Sequence, residues 1–281
     1  MKKVIDEDLI DSCKKSSDYI RHQIIEMTYA TGRIGAHLGG SLSMAEMLGT
    51  LYTGVLRYRP NEPDWDERDR VIFSKGHGAL ALYPALARAG IIDSELLKTF
   101  KQNGSKLGGH PSLNGLPGIE FASGSLGQGL SLGVGVCLAL KRKNYINLPK
   151  VFVFLGDGEC DEGSVWEAVA SASHYGLNNL IAVIDTNHIQ YDGETNKILN
   201  MSPMDKKWES FGWKTKVIDG HDIEQLLNAY NMEPDKPLVI IADTIKGKGV
   251  SFMEGNWKYH NSVLTKEQYE KALRELEGPA C

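Results

Sequence analysis

Apolar residues recur every third or fourth position over residues 7–31, with Ile20, Ile24 and Met27 on one stripe. That spacing predicts an amphipathic helix. Ser43 followed by Glu46 reads as a capping box opening a second helix that runs to about Val55. A polar, proline-containing loop at 60–66 precedes a short strand at 70–73. Residues 78–89 read as a helix stopped by Gly90, and Asp93 caps another that Gly104 stops. Residues 104–126 are rich in Gly, Pro, Ser and Asn. So long a stretch without regular structure tends to be functional. Helix resumes over 126–143.

The second half alternates more regularly. Apolar runs at 151–155, 180–185, 214–218 and 238–243 predict strands, with helices at 161–175 and 222–231 between them. Strands that are apolar throughout and alternate with helices imply an α/β fold, a parallel sheet with helices on both faces. A final helix at 265–277 carries a Thr265/Gln268 capping box and is expected outside the sheet core. No internal repeat or low-complexity linker divides the chain. A single domain over 1–281 is expected, with a C-terminal extension from about 245.

Composition narrows the classes. With 281 residues and 42% hydrophobic positions, the chain can bury a substantial core. A net charge of −5 argues against a nucleic-acid-binding face. No apolar run reaches the roughly 18 residues of a membrane span, and residues 1–15 are charged with no apolar signal core. Cys13, Cys137, Cys160 and Cys281 are scattered without a CxxC pair, which suits reduced thiols in a cytoplasm.

The candidate chemistry starts at Gly156-Asp157-Gly158, directly after the run 151–155, with 28 residues before Asn187, which follows the run 180–185. Both positions fall at carboxyl ends of parallel strands, the edge where open α/β sheets bind ligands. Asp157 offers a carboxylate oxygen and Asn187 an amide oxygen, a donor set for a hard cation that completes its shell from phosphate and water. Gly156 and Gly158 let the backbone approach a phosphate. The helix expected to start near Asp161 points its N-terminus at the same place, which favours an anion. A lone GDG is a common turn, but its position and the later Asn are more specific. A dinucleotide site is the rival, and no G-x-G-x-x-G follows a strand here.

The pair resembles the thiamine diphosphate signature, and further segments resemble transketolases in family order. They are GAHLGGSLSMAE (35–46), DRVIFSKGHG (69–78), GGHPSLNGLPGIEFASGSLGQGL (108–130), GDGECDEGSVWEA (156–168) and TIKGKGVSFMEGNWKYH (244–260). The resemblance covers nearly the whole chain but less than half of a complete transketolase. It implies the thiamine diphosphate-binding fold and a metal ion, Mg2+ by availability, with Ca2+ or Mn2+ as substitutes. It implies transfer of a two-carbon ketol unit from a ketose phosphate to an aldose phosphate, the cofactor carrying the carbon–carbon chemistry.

Residue by residue, His37, His77 and His260 match positions that contact the donor and its reacting hydroxyls. His110 matches the one that holds the donor's terminal hydroxyl. Imidazoles near neutral pKa suit proton shuttling. Asp157, Asn187 and the Ile189 carbonyl match metal ligands. Lys246 matches a lysine that reaches the diphosphate. Gly124 and Leu126 match the loop beside the aminopyrimidine, and Glu162 and Glu167 match acids near a subunit interface. Two departures, Leu38 for the usual Pro and Tyr259-His260-Asn261 for Trp-His-Gly, sit beside the sugar. The His-Leu-Gly also occurs in deoxyxylulose-phosphate synthases.

In the family, a second domain carries the glutamate that activates the cofactor, and no segment here resembles it. The resemblance therefore implies one subunit of a split enzyme. Its partner would be a C-terminal transketolase subunit carrying the pyrimidine domain, in a dimer of heterodimers. The alternatives are a split deoxyxylulose-phosphate synthase, a transketolase for an unusual sugar, and a non-catalytic thiamine diphosphate-binding module.

Overall fold

The apolar runs become the strands of one sheet. In the computed structural model, which describes residues 5–277, these are β1 (Arg70–Phe73), β2 (Val151–Gly156), β3 (Leu180–Thr186), β4 (Lys214–Asp219) and β5 (Leu238–Asp243). They lie in the order β1-β2-β3-β5-β4, and every pairing is parallel. All of β2 is buried, as are nearly all of β3 and β5. β4, with its Lys-Thr-Lys start, takes an edge and is largely exposed.

Alternation along the central strands divides the core in two. Phe152, Phe154, Ile181 and Val183 face one layer, and Val151, Val153, Leu155, Ala182 and Ile184 face the other. The first layer holds α1 (Glu7–Ala30), α2 (Ala45–Thr50), α3 (Ala79–Arg88), α7 (Ile223–Tyr230) and α8 (Lys266–Glu277). The second holds α4 (Gln128–Lys141), α5 (Gly163–His174) and α6 (Met204–Ser210). The expected α/β sheet with helices on both faces is thus observed.

Several local expectations are corrected. Ser43 does not cap α2: Met44 is its N-cap, and the Ser43 hydroxyl donates to Asp185 at 2.7 Å. Glu46 turns instead to Arg21 and His221. The α-helix stops at Thr50 and widens into a π turn over Leu51–Val55. Asp93 does cap its segment, accepting from the Glu95 N–H, but that segment is a 3-10 turn, Ser94–Thr99, ending well before Gly104. The helix expected from Asp161 starts at Gly163, after a 3-10 turn at Gly158–Asp161. The 104–126 stretch contains no helix or strand, as expected, and the irregular segment extends beyond it to 101–127.

The capping box at the last helix is formed: Thr265 N–H donates to Gln268 Oε1 at 3.0 Å, and Gln268 N–H to Thr265 Oγ1 at 3.2 Å. α8 lies off the sheet against α1, where Tyr269 stacks on Tyr29 with ring centroids 4.1 Å apart. Cys13, Cys137 and Cys160 are buried and outside any disulfide, and Cys281 lies outside the described residues. Among those residues no helix is long and apolar enough to cross a membrane.

Candidate active site

The register aligns Gly156 with Asp185 across β2 and β3, and Asp185 with Ala242 across β3 and β5. The segments leaving β1, β2, β3 and β5 therefore converge at one edge. Asp157 follows β2, Asn187 follows β3, Lys75 and His77 follow β1, and Lys246 follows β5.

Asp157 and Asn187 are both buried. Asp157 Oδ2 accepts from the His188 N–H at 2.7 Å and the Thr195 hydroxyl at 3.1 Å, and Oδ1 from the Gly158 N–H at 2.9 Å. Burial, and then the Asp185 charge, raise the Asp157 pKa against the opposing pull of the Gly158 and His188 N–H groups and the Lys75 charge. Asn187 donates its amide to Asp185 Oδ2 at 2.9 Å, which fixes Oδ1 as an oxygen acceptor. Asp157, Asn187 and the Ile189 carbonyl supply oxygen donors of the kind a hard cation takes. Among the described residues no group of three or more His, Cys, Asp or Glu side chains forms a metal cage. A cation here would have to draw further ligands from an anion and water.

The backbone beside these donors leaves a little space at Gly156 and Gly40. A Cβ built on Gly156 would find only Lys75 Cδ, at 3.9 Å, and one on Gly40 would find His77 Nε2 and Lys75 Nζ at 3.5 Å. Two buried ammonium groups flank the space. Lys75 Nζ donates to Asp185 Oδ2 at 2.5 Å and to Gly40 O at 3.1 Å. Lys246 Nζ donates to Ile189 O at 2.6 Å and lies 3.0 Å from His260 Nδ1. Burial, then the Lys75 charge, lowers the Lys246 pKa to about 8.

Sequence reasoning did not single out Lys75 or Asp185, and the geometry gives them a central place. Asp185 is 0% exposed, yet its pKa is lowered: burial acts upward, and the Lys75 charge with hydrogen bonds from Lys75, Thr244 and Ser43 overrides it. Glu159 was missed in the same way. Its buried carboxylate accepts from the Ser74 hydroxyl, from Gly127 N–H at 2.8 Å and from Gly156 N–H at 3.1 Å. It thereby pins the loop carrying Gly124 and Leu126 to the end of β2. Lys75 and Glu159 lay inside motif segments, and Asp185 closed the apolar run before Asn187.

The four singled-out histidines come together. His37 lies 5.7 Å from His77, 5.4 Å from His110 and 5.6 Å from His260, centroid to centroid. His77 and His260 are 5.2 Å apart. Gly124 lies against the His110 ring, where a Cβ would sit 3.6 Å from Cδ2. Leu126 is half-buried in the same loop, whereas Glu162 and Glu167 are exposed.

Every imidazole in the cluster is held neutral. Burial, then His110, Lys101 and Lys246, lowers His37 to about 4. Burial, then Lys246, lowers His260 to about 3. His77 lies well below its usual value through burial and Lys75, and His110 is lowered by burial and Lys101. Lys101, which sequence reasoning also missed, sits at φ 57° with its ammonium on Gly35 O at 2.8 Å. Tyr191, largely exposed, meets the His260 ring at 5.2 Å.

Comparison with known proteins gives concordant findings. Residues 14–278 match the family model described as "Transketolase, thiamine diphosphate binding domain". The chain is 43% identical over 250 residues to a 6-deoxy-6-sulfo-D-fructose transketolase subunit of Clostridium sp. (strain MSTE9), covering 88% of this chain and 90% of that one. It is 41% identical over 268 residues to an apulose-4-phosphate transketolase subunit of Actinobacillus succinogenes, covering 95% and 96%. Among solved structures, transketolase from Leishmania mexicana superposes with a TM-score of 0.86 at 31% identity, over 93% of this chain. The chain spans only 40% of that transketolase's length.

Proposed function

The chain belongs to the transketolase family, in the section that binds thiamine diphosphate, and from that premise we propose that it is the diphosphate- and metal-binding subunit of a two-component transketolase. The observation that carries this reading is the convergence of Asp157, Asn187, Lys75, Lys246 and four neutral histidines on one edge of the sheet.

Asp157, Asn187 and the Ile189 carbonyl hold a divalent cation, Mg2+ or a substitute such as Ca2+ or Mn2+. Gly156 and Gly158, with Lys246, Lys75 and His77, receive the diphosphate, and Gly124 and Leu126 lie beside the aminopyrimidine. Glu162, near Gly127, belongs to the contact with the second active site. When bound, thiamine diphosphate supplies the nucleophilic carbon and the electron sink for cleaving and forming carbon–carbon bonds. The protein's part is orientation and proton movement. Lys246 donates to His260 Nδ1, so the ring proton of His260 sits on Nε2, where it can donate to a sugar oxygen. His37 and His77, neutral at physiological pH, each offer one acceptor and one donor nitrogen for hydroxyl protons. His110 holds the far hydroxyl of the donor.

The partner is a C-terminal transketolase polypeptide carrying the pyrimidine domain, assembled two and two. The groove lined by His110, Phe121, Gly124 and Gln128, beside the edge strand β1, supports contact at that face. The two subunit relatives are named for 6-deoxy-6-sulfofructose and apulose 4-phosphate. Their names favour a donor outside the common pentose phosphates, with an anionic group at the end away from the carbonyl. Localisation in the cytoplasm belongs to the same reading.

Two substitutions test the site. Asp157→Ala should abolish Mg2+-dependent thiamine diphosphate binding, measured by calorimetry on the assembled enzyme. Unchanged binding would refute the metal assignment. His110→Ala should raise the donor KM while leaving cofactor affinity nearly intact, and loss of cofactor binding would give His110 a different role.

A further inference from the structure

Glu46, Arg21 and His221 form a buried polar group outside the cluster of histidines and metal donors. Their side chains are only 12%, 7% and 13% exposed, and they come from α2, α1 and the turn after β4. Glu46 Oε1 accepts from Arg21 Nη2 at 2.5 Å, and Oε2 lies 3.0 Å from His221 Nδ1. Each partner of the carboxylate has a second bond, and both second bonds land on the segment that carries Lys246. His221 Nε2 accepts the Ile245 N–H at 2.9 Å, and Arg21 Nε donates to Lys248 O at 3.0 Å.

The hydrogen bonds fix the chemistry. A ring nitrogen that accepts an amide proton carries none, so the His221 proton sits on Nδ1 and is donated to Glu46. Burial alone would raise the Glu46 pKa, but the His221 hydrogen bond and the Arg21 guanidinium overcome it and hold the carboxyl below its usual range. One carboxylate therefore orients a neutral imidazole and a guanidinium. Together they grip the backbone one residue before Lys246 and two residues after it. Lys246 itself reaches Ile189 O and His260 Nδ1. Gly247 at φ 81° would meet Met253 O at 2.4 Å if it bore a Cβ, so the turn between the two grips is itself tightly set.

We propose that Glu46, through His221 and Arg21, positions the 245–248 segment so that Lys246 stands ready beside the Ile189 carbonyl and His260. These are positioning residues, since their polar contacts are to one another, to Asp18 and to the Ile245 and Lys248 backbone. The consequence for cofactor binding rests on the function proposed above; the grip on the segment does not.

The test uses the full chain and three variants. His221→Phe keeps the ring and loses both hydrogen bonds. His221→Gln can restore an acceptor and a donor, and Glu46→Gln replaces the shared carboxylate by an amide. Two quantities are read, hydrogen exchange of the 245–248 amides and thiamine diphosphate affinity in saturating Mg2+. His221→Phe and Glu46→Gln should each speed exchange at Ile245 and weaken the cofactor about tenfold, the scale of one hydrogen bond to a charged group. His221→Gln should recover most of both, with exchange in β2 and β3 unchanged in all three. Unchanged exchange at Ile245 in His221→Phe would overturn the proposal, as would equal losses in Gln and Phe with faster exchange throughout the sheet. If the wild-type chain binds no thiamine diphosphate even when assembled, the proposed function fails, and the exchange at Ile245 still decides the positioning role.

Discussion

Lys75 and Asp185 show how a few buried charges set the character of the whole edge. The pair is 1% and 0% exposed, so removing one partner leaves an uncompensated charge in the interior. Lys75→Met should cost about 3–5 kcal/mol of stability, and the double variant Lys75→Met/Asp185→Leu should recover part of that loss in denaturant unfolding. Asp185 also holds the Asn187 amide, so the damage should extend to the orientation of the Asn187 side-chain oxygen. A second residue-scale prediction concerns Lys101, whose charge helps hold His37 and His110 below their usual range. In Lys101→Met both imidazoles should titrate at higher pH in an NMR titration, while His260, depressed by other charges, should move less.

At the scale of elements, the loop 121–129 and the turn after β2 act as one unit because Glu159 joins them. Glu159→Gln would set an amide N–H against one of the donors the carboxylate now accepts. It should destabilise the chain by about 1–3 kcal/mol and speed exchange at Gly127 first. How much of this was legible beforehand follows from physical range. The strands at 151–155, 180–185 and 238–243 were legible because burial on both faces leaves a continuous apolar run. α6 was not, since seven residues with only Trp208 buried give too short a periodic signal. The Ser43/Glu46 box failed for a different reason. Its spacing is that of a cap, but tertiary partners at Asp185, Arg21 and His221 outcompete a local bond. The Thr265/Gln268 box formed as read, because Gln268 keeps the cap with Oε1 while its tertiary bond to the Tyr259 hydroxyl uses Nε2. Asp157 and Asn187 were legible through motif spacing, and the four histidines through the resemblance of their segments to transketolases. Lys75, Asp185, Glu159 and His221 were not, because their importance lies in contacts across 32 to 175 positions of sequence.

For the whole molecule, the depressed histidines make acid sensitivity the expected behaviour. The unfolded chain binds protons on them as pH falls below about 6.5, whereas folded His37 resists until about 4 and His260 until about 3. The unfolded state then holds more protons, so folding stability falls as pH drops through that window. The raised carboxyls of Asp157 and Glu159 act in the opposite sense. Scanning calorimetry from pH 7 to 4 should show a falling midpoint, and His77→Gln should flatten the dependence.

The assembly is the larger question at this scale, because the chain spans 40% of the solved Leishmania mexicana transketolase while covering most of the length of its subunit-named relatives. The most direct measurement is ketol transfer with thiamine diphosphate and Mg2+, by this chain alone and mixed with a polypeptide carrying the pyrimidine domain. The donors should include xylulose 5-phosphate, 6-deoxy-6-sulfofructose and apulose 4-phosphate. Turnover of at least one donor in the mixture, and none by the chain alone, is the result the account predicts. Turnover by the chain alone would contradict it.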